Sequence, residues 1–127
     1  MSPPVDEAAI DAAVERGIDE GLANLPSAFA ERLGSVAIVV EDEPTAAQLA
    51  STGAQGLYGL YQGVPRTAFA AGGVPIPSKI TLFRGPLARS HPNPDDLRAA
   101  VIDTLHHEIA HHFGISDQRL GELRRGG

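Results

Sequence analysis

The sequence predicts a small α+β protein, with helical segments towards both ends of the chain and three short strands between them. Three observations carry that expectation: apolar residues at helical spacing near the N-terminus, β-branched runs of strand length in the middle, and a long capped helix near the C-terminus. At 127 residues the chain is expected to fold as one domain around one core.

Taken in order, residues 5–22 (VDEAAIDAAVERGIDEGL) bring Val5, Ala9, Ala13, Ile18 and Leu22 to helical spacing in a segment rich in Ala, Glu and Arg. Gly17 and Gly21 weaken its intrinsic helicity. Pro26 is placed to open a second short helix that carries Phe29 and Leu33 inward until Gly34 stops it. The period then changes. SVAIVVED, bounded by Gly34 and Pro44, predicts a strand over 35–41, buried on both faces; GLYGLYQG at 56–63 and KITLFRG at 79–85 predict two more. VPRTAFAAGGVPIPS between them is too rich in Pro and Gly for a fourth strand and predicts an irregular loop. The last helix has the clearest boundaries, with Asn93 as N-cap, Pro94 at the first helical position, Asp95 and Asp96 in the first turn and Gly114 as its left-handed end.

Composition narrows the function. A formal net charge of -6 opposes binding to nucleic acid or anionic membrane, which rests on basic residues neutralising phosphates. With no cysteine there is neither disulfide nor thiol chemistry, and any metal must be held by His, Asp or Glu. The first residues form no signal peptide and no apolar run is long enough to span a bilayer, so a cytoplasmic protein is expected.

Four of the five histidines fall in LHHEIAHHFGISD, residues 105–117. At about 100° per residue, His107 and His111 lie only about 40° apart and can grip one ion, whereas His106 and His112 each lie roughly 120° from the centre of that pair. Val101, Ile102, Leu105, Ile109 and Phe113 form the opposite, packed face. His112 projects towards that side and is expected to be partly buried, bonded to backbone or a carboxylate; His106 is expected to be solvated. Glu108 completes H-E-x-x-H, in which the two imidazoles bind zinc and the carboxylate, about 80° from their midpoint, reaches a zinc-bound water as general base. Catalytic zinc usually has a third protein ligand and an open fourth position. Asp103 shares the ligand face but lies roughly 12 Å from His111 along the helix axis, too far to join it. Asp117 is the better candidate, because Gly114 lets the chain turn back beneath the metal; Glu122 and His91 rank below it.

The resulting string H-E-x-x-H-x-x-G-x-x-D resembles the zincin metallopeptidases whose third ligand is Asp, as in the snapalysin-like enzymes. More closely, the chain resembles the small bacterial family of minimal zincin-like metallopeptidases, through VAIVVEDEP, LYGLYQGVP, ITLFRGPL and HEIAHHFGISDQRL in that order, across about residues 26–123. The resemblance implies His107, His111 and Asp117 as zinc ligands and Glu108 as catalytic base. It also implies a small mixed three-stranded sheet packed with the active-site helix, with strand 79–85 between strand 35–41 and an antiparallel edge near 57–63. A peptide or protein substrate could pair with that edge.

Met1 is the only methionine and only sixteen residues follow His111, so neither a Met-turn nor a lower lobe is expected, and turnover should be modest. Tyr58, Tyr61 and Arg84 are candidates for stabilising an oxyanion, with at most one tyrosine facing the metal because the two fall on opposite faces of a strand. The rival reading is a non-catalytic, zinc-stabilised module that binds a protein partner along the exposed edge strand.

Overall fold

The computed structural model describes residues 6–31, 33–34, 36–52, 57–63 and 78–115, together with 119 and 122. Its elements are α1 (Glu7–Ala23), α2 (Ser27–Ala30), β1 (Ala37–Glu41), α3 (Ala46–Thr52), β2 (Gly59–Gln62), β3 (Lys79–Phe83), α4 (Arg84–Ser90) and α5 (Pro94–His112). The α+β expectation holds. β3 is the central strand, parallel to β1 and antiparallel to β2, in the order β1-β3-β2. The 64–77 segment expected as an irregular loop lies outside the described residues.

Helix α5 organises the core. Leu97, Val101, Leu105 and Ile109 are 0–1% exposed, packed with Ala13 and Val14 of α1 and with Ile80 and Leu82 of β3. Each such burial stabilises the fold by about 1.5–3 kcal/mol before entropy is counted. The two glycines that lower the helicity of α1 serve this contact. A Cβ on Gly17 would stand 2.6 Å from the Val101 Cβ and 3.0 Å from the Arg98 carbonyl oxygen, and one on Gly21 would stand 3.0 Å from a Leu105 methyl. The absent side chains let two helix backbones approach closely.

Several expectations need correction. β1 is not buried on both faces: Ala37 is exposed and Val40 is 42% exposed, and among the described residues the strand pairs on one side only. Its β-branched residues reflect strand propensity more than burial, and the buried strand is β3. The third predicted strand ends at Phe83, where Arg84 begins α4; Pro86 is tolerated in that helix because first-turn N–H groups have no intrahelical acceptor. α2 is a single turn with Pro26 at the N-cap instead of inside it, although Phe29 and Leu33 do pack on the core and Gly34 does adopt a left-handed conformation, φ 69°. The sequence pattern predicts no element where α3 forms. It carries a capping box, in which the Thr45 N–H donates to Gln48 Oε1 (2.7 Å) and the Gln48 N–H to Thr45 Oγ1 (3.1 Å).

Arg84 is no oxyanion partner. Its guanidinium is held by Glu7 and by Asp11 (2.7 Å), with Asp42 at 3.6 Å, and so ties α4 to α1 and to the end of β1.

Candidate metal centre

Helix α5 is fixed at both ends by its own sequence. Asn93 Oδ1 accepts from the Asp95 and Asp96 N–H groups at 2.9 and 3.3 Å. At the other end the Ile115 N–H donates to the Ala110 carbonyl (2.8 Å) and the Gly114 N–H to that of His111 (3.0 Å), a Schellman turn that requires the positive φ of Gly114, 68°.

Between these ends the four histidines separate by environment. His107 is half-buried and the His111 side chain is 54% exposed, on the side away from Val101, Leu105 and Ile109. His106 corrects its expected solvation: it is 3% exposed, and its Nε2–H donates to the Gly21 carbonyl at 2.8 Å. That carbonyl belongs to the last turn of α1, where helix acceptors lack helical partners, so the imidazole acts as a cap delivered from α5. His112 is buried as expected, and its Nδ1 is bonded to the Tyr61 hydroxyl at 3.0 Å, which in turn lies 3.2 Å from Ser78 Oγ. The Tyr61 phenol is thus committed to the interior.

Glu108 sits where α5 meets β2. Its side chain is 12% exposed and its Oε1 lies 3.2 Å from His111 Nδ1. Gly59 makes room for it, because a Cβ there would stand 2.7 Å from the Thr104 methyl and 3.3 Å from Glu108 Cγ. The Phe83 N–H donates to the Tyr58 carbonyl (2.8 Å), and with Gly59 opposite Leu82 the antiparallel alternation turns the N–H and C=O of Gly59 and Tyr61 away from β3. The Tyr61 N–H meets the Glu108 carboxylate on that outer side. Glycine inside a strand was the available sequence signal for this close approach.

Burial raises the Glu108 pKa above the ordinary carboxylate value, opposed by the charges of His111 and His107 and by the Tyr61 N–H. The folded protein therefore holds this proton more firmly than the unfolded chain does. That contribution to stability is fully present below the unfolded glutamate range and is lost as pH rises through the folded pKa. Metal-free Glu108→Gln should consequently melt above wild type at neutral pH, with the gap closing as pH falls. Thermal melts with chelator between about pH 4 and 8 check it, and a gap independent of pH would refute it.

Removing the Tyr61 hydroxyl is expected to be costly for its size. Tyr61→Phe takes a partner from the buried His112 and should destabilise the fold by about 1–3 kcal/mol in denaturant titration, with zinc stoichiometry unchanged.

The lower-ranked ligand candidates are placed elsewhere. His91 Nδ1–H donates to the Leu87 carbonyl at 2.9 Å and its ring meets Tyr58; Glu122 pairs with Arg119 at 3.2 Å; Asp103 is exposed. Asp117 lies outside the described residues, and among the described residues no three His, Asp or Glu side chains converge as a metal-binding group. The donor chemistry fits zinc nonetheless, since imidazole pairs one helical turn apart are customary zinc donors.

An HExxH helix beneath what is, among the described residues, the antiparallel edge of a small mixed sheet places the chain in the zincin class. It belongs to the zincin-like metallopeptidase family, whose model matches residues 33–126, and that membership implies zinc binding and a peptide or protein substrate. No curated protein matches the chain. The family match begins after α2, so α1, which backs the histidine helix, precedes it. Among the described residues no helix is long and apolar enough to cross a membrane.

Proposed function

We propose that the chain is a zinc-dependent peptidase of the HExxHxxGxxD type, in which His107, His111 and Asp117 hold the metal and Glu108 is the general base. The observation that carries this reading is the Glu108 carboxylate, nearly buried beside the exposed imidazole of His111 and directly under a strand edge. A purely structural zinc site has no need of such a group. Zinc, when bound, supplies a Lewis acid for the scissile carbonyl and acidifies water. Glu108 takes the proton from the attacking water as the new C–O bond forms and returns it to the amine nitrogen as the C–N bond breaks. Its raised pKa brings it closer to the working range of a base near neutrality, and the Tyr61 N–H orients the carboxylate. The outward N–H and C=O of Gly59 are placed to pair with the backbone of an extended substrate.

Mass-spectrometric profiling of a peptide library with protein of verified zinc stoichiometry tests the reading. Cleavage that chelator removes and zinc restores is the expected result. Zinc fully bound with every peptide intact would instead assign the domain to partner binding along the same edge.

A further inference from the structure

A cavity of about 340 Å³ opens at the start of β2, lined by Leu57, Tyr58, Pro86, Arg89 and Ser90. Tyr58, 42% exposed, is one wall, and its ring is held edge-on against His91, with centroids 5.5 Å apart. His91 is anchored in turn to the Leu87 carbonyl. The wall is therefore a braced aromatic ring, while the Tyr58 backbone is pinned to Phe83 by the first bond of the β2–β3 ladder.

The lining carries little unbalanced charge. Arg89, the one cation among the described lining residues, makes a two-point contact with Glu43, Nη1 to Oε2 at 2.6 Å and Nη2 to Oε1 at 2.9 Å, so its charge is matched before any ligand arrives. What remains is an aromatic face, Leu57, the Pro86 ring and the Ser90 hydroxyl. Such a surface favours a large apolar side chain over a charged one.

Its place along β2 gives it a register. Glu108 meets β2 between Gly59 and Tyr61, so a peptide bond presented to that carboxylate lies opposite this stretch. Antiparallel pairing is the more stable arrangement for an added strand. A peptide so paired runs against β2, and its C-terminal side passes Tyr58 and Leu57. At about 3.3 Å per residue, these positions lie two to three residues beyond the bond being cut.

We infer that this cavity is a specificity pocket for an aromatic or large aliphatic side chain two or three residues to the C-terminal side of the scissile bond. The assignment rests on the peptidase reading, and it names the part of the substrate that the metal and the base do not touch.

The test uses zinc-loaded full-length protein and capped, alanine-rich decapeptides that carry one phenylalanine or leucine at each position in turn, or none. Wild type should cleave peptides with the large residue at one of those two positions roughly tenfold better in kcat/KM than the all-alanine peptide, and Tyr58→Ala should bring that ratio close to one. A flat wild-type profile at both positions, or a ratio that survives Tyr58→Ala, overturns the pocket. Backbone amide NMR shifts of the zinc-loaded Glu108→Gln variant keep the two readings separable. If no peptide is cleaved, shifts at Tyr58 and Ser90 with the phenylalanine peptides but not the alanine one retain the pocket and sink the peptidase assignment alone. Equal or absent shifts overturn the pocket.

Discussion

Glu108→Ala is expected to lower peptide turnover by a factor of about 10²–10⁴ while zinc remains bound in the wild-type ratio. The expectation follows from the separate roles proposed along one turn of α5. His107 and His111 supply donor nitrogens, whereas the carboxylate between them is nearly buried beneath Gly59 and accepts the Tyr61 N–H. Alanine removes the proton acceptor and leaves the imidazoles. Steady-state cleavage and metal analysis of the same preparation give the answer together. If the mutant retained wild-type turnover, water activation would have to lie elsewhere; if it lost zinc, Glu108 would belong with the ligands. Glu108→Gln refines the outcome, since it keeps the shape and removes the basicity, and it should be as inactive as alanine.

The largest expected effect on stability is at Gly17. The Cβ of alanine there would stand 2.6 Å from the Cβ and a methyl of Val101 and 3.0 Å from the Arg98 carbonyl oxygen. Cβ atoms and backbone cannot rotate aside, so α1 and α5 would have to separate. Overpacking of this kind typically costs about 1–3 kcal/mol, against which the better helix propensity of alanine offsets up to about 1 kcal/mol. A drop in Tm of several degrees is expected, at roughly 2–8 °C per kcal/mol for domains of this size range. Gly21→Ala is the internal comparison. Its nearest obstacle, at 3.0 Å, is the end of the Leu105 side chain, which can shift, so it should be the milder change. Equal melting temperatures for the two variants would show that helix separation at Gly17 is not costly.

What was legible in the sequence follows from the range of the interactions involved. Asn93, Pro94 and Gly114 bound α5 through contacts within a few residues, and the spacing of His107, Glu108 and His111 is a property of one helix, so both could be read without tertiary information. The capping box of α3 is equally local, Thr45 and Gln48 being three residues apart, but it heads a segment of only seven helical residues behind Pro44, too short to carry a helical period. α4 was hidden by Gly85 and Pro86, which read as helix breakers until the strand before them fixes the start of the turn. The burial of His106 was not legible at all. It depends on a carbonyl 85 residues earlier in the chain, on a helix that meets α5 only in the folded protein. The same holds for Tyr61, whose hydroxyl and amide serve His112 and Glu108 from a strand about fifty residues distant in sequence.

The contacts that seat the histidine helix come from the chain itself. α1 grips it through Gly17, Gly21 and the His106 cap, and the sheet grips it through Gly59 and the Tyr61 hydroxyl. From these contacts we expect the conformational entropy of α5 to be surrendered when the chain folds, so that His107 and His111 stand one turn apart before a metal arrives. Metal then adds to stability only by mass action, growing with the logarithm of free ion, where a zinc finger has no fold before it binds. Chelation should leave the far-UV circular dichroism intact and lower only the melting temperature, so the chain can give up its ion and take it back without unfolding.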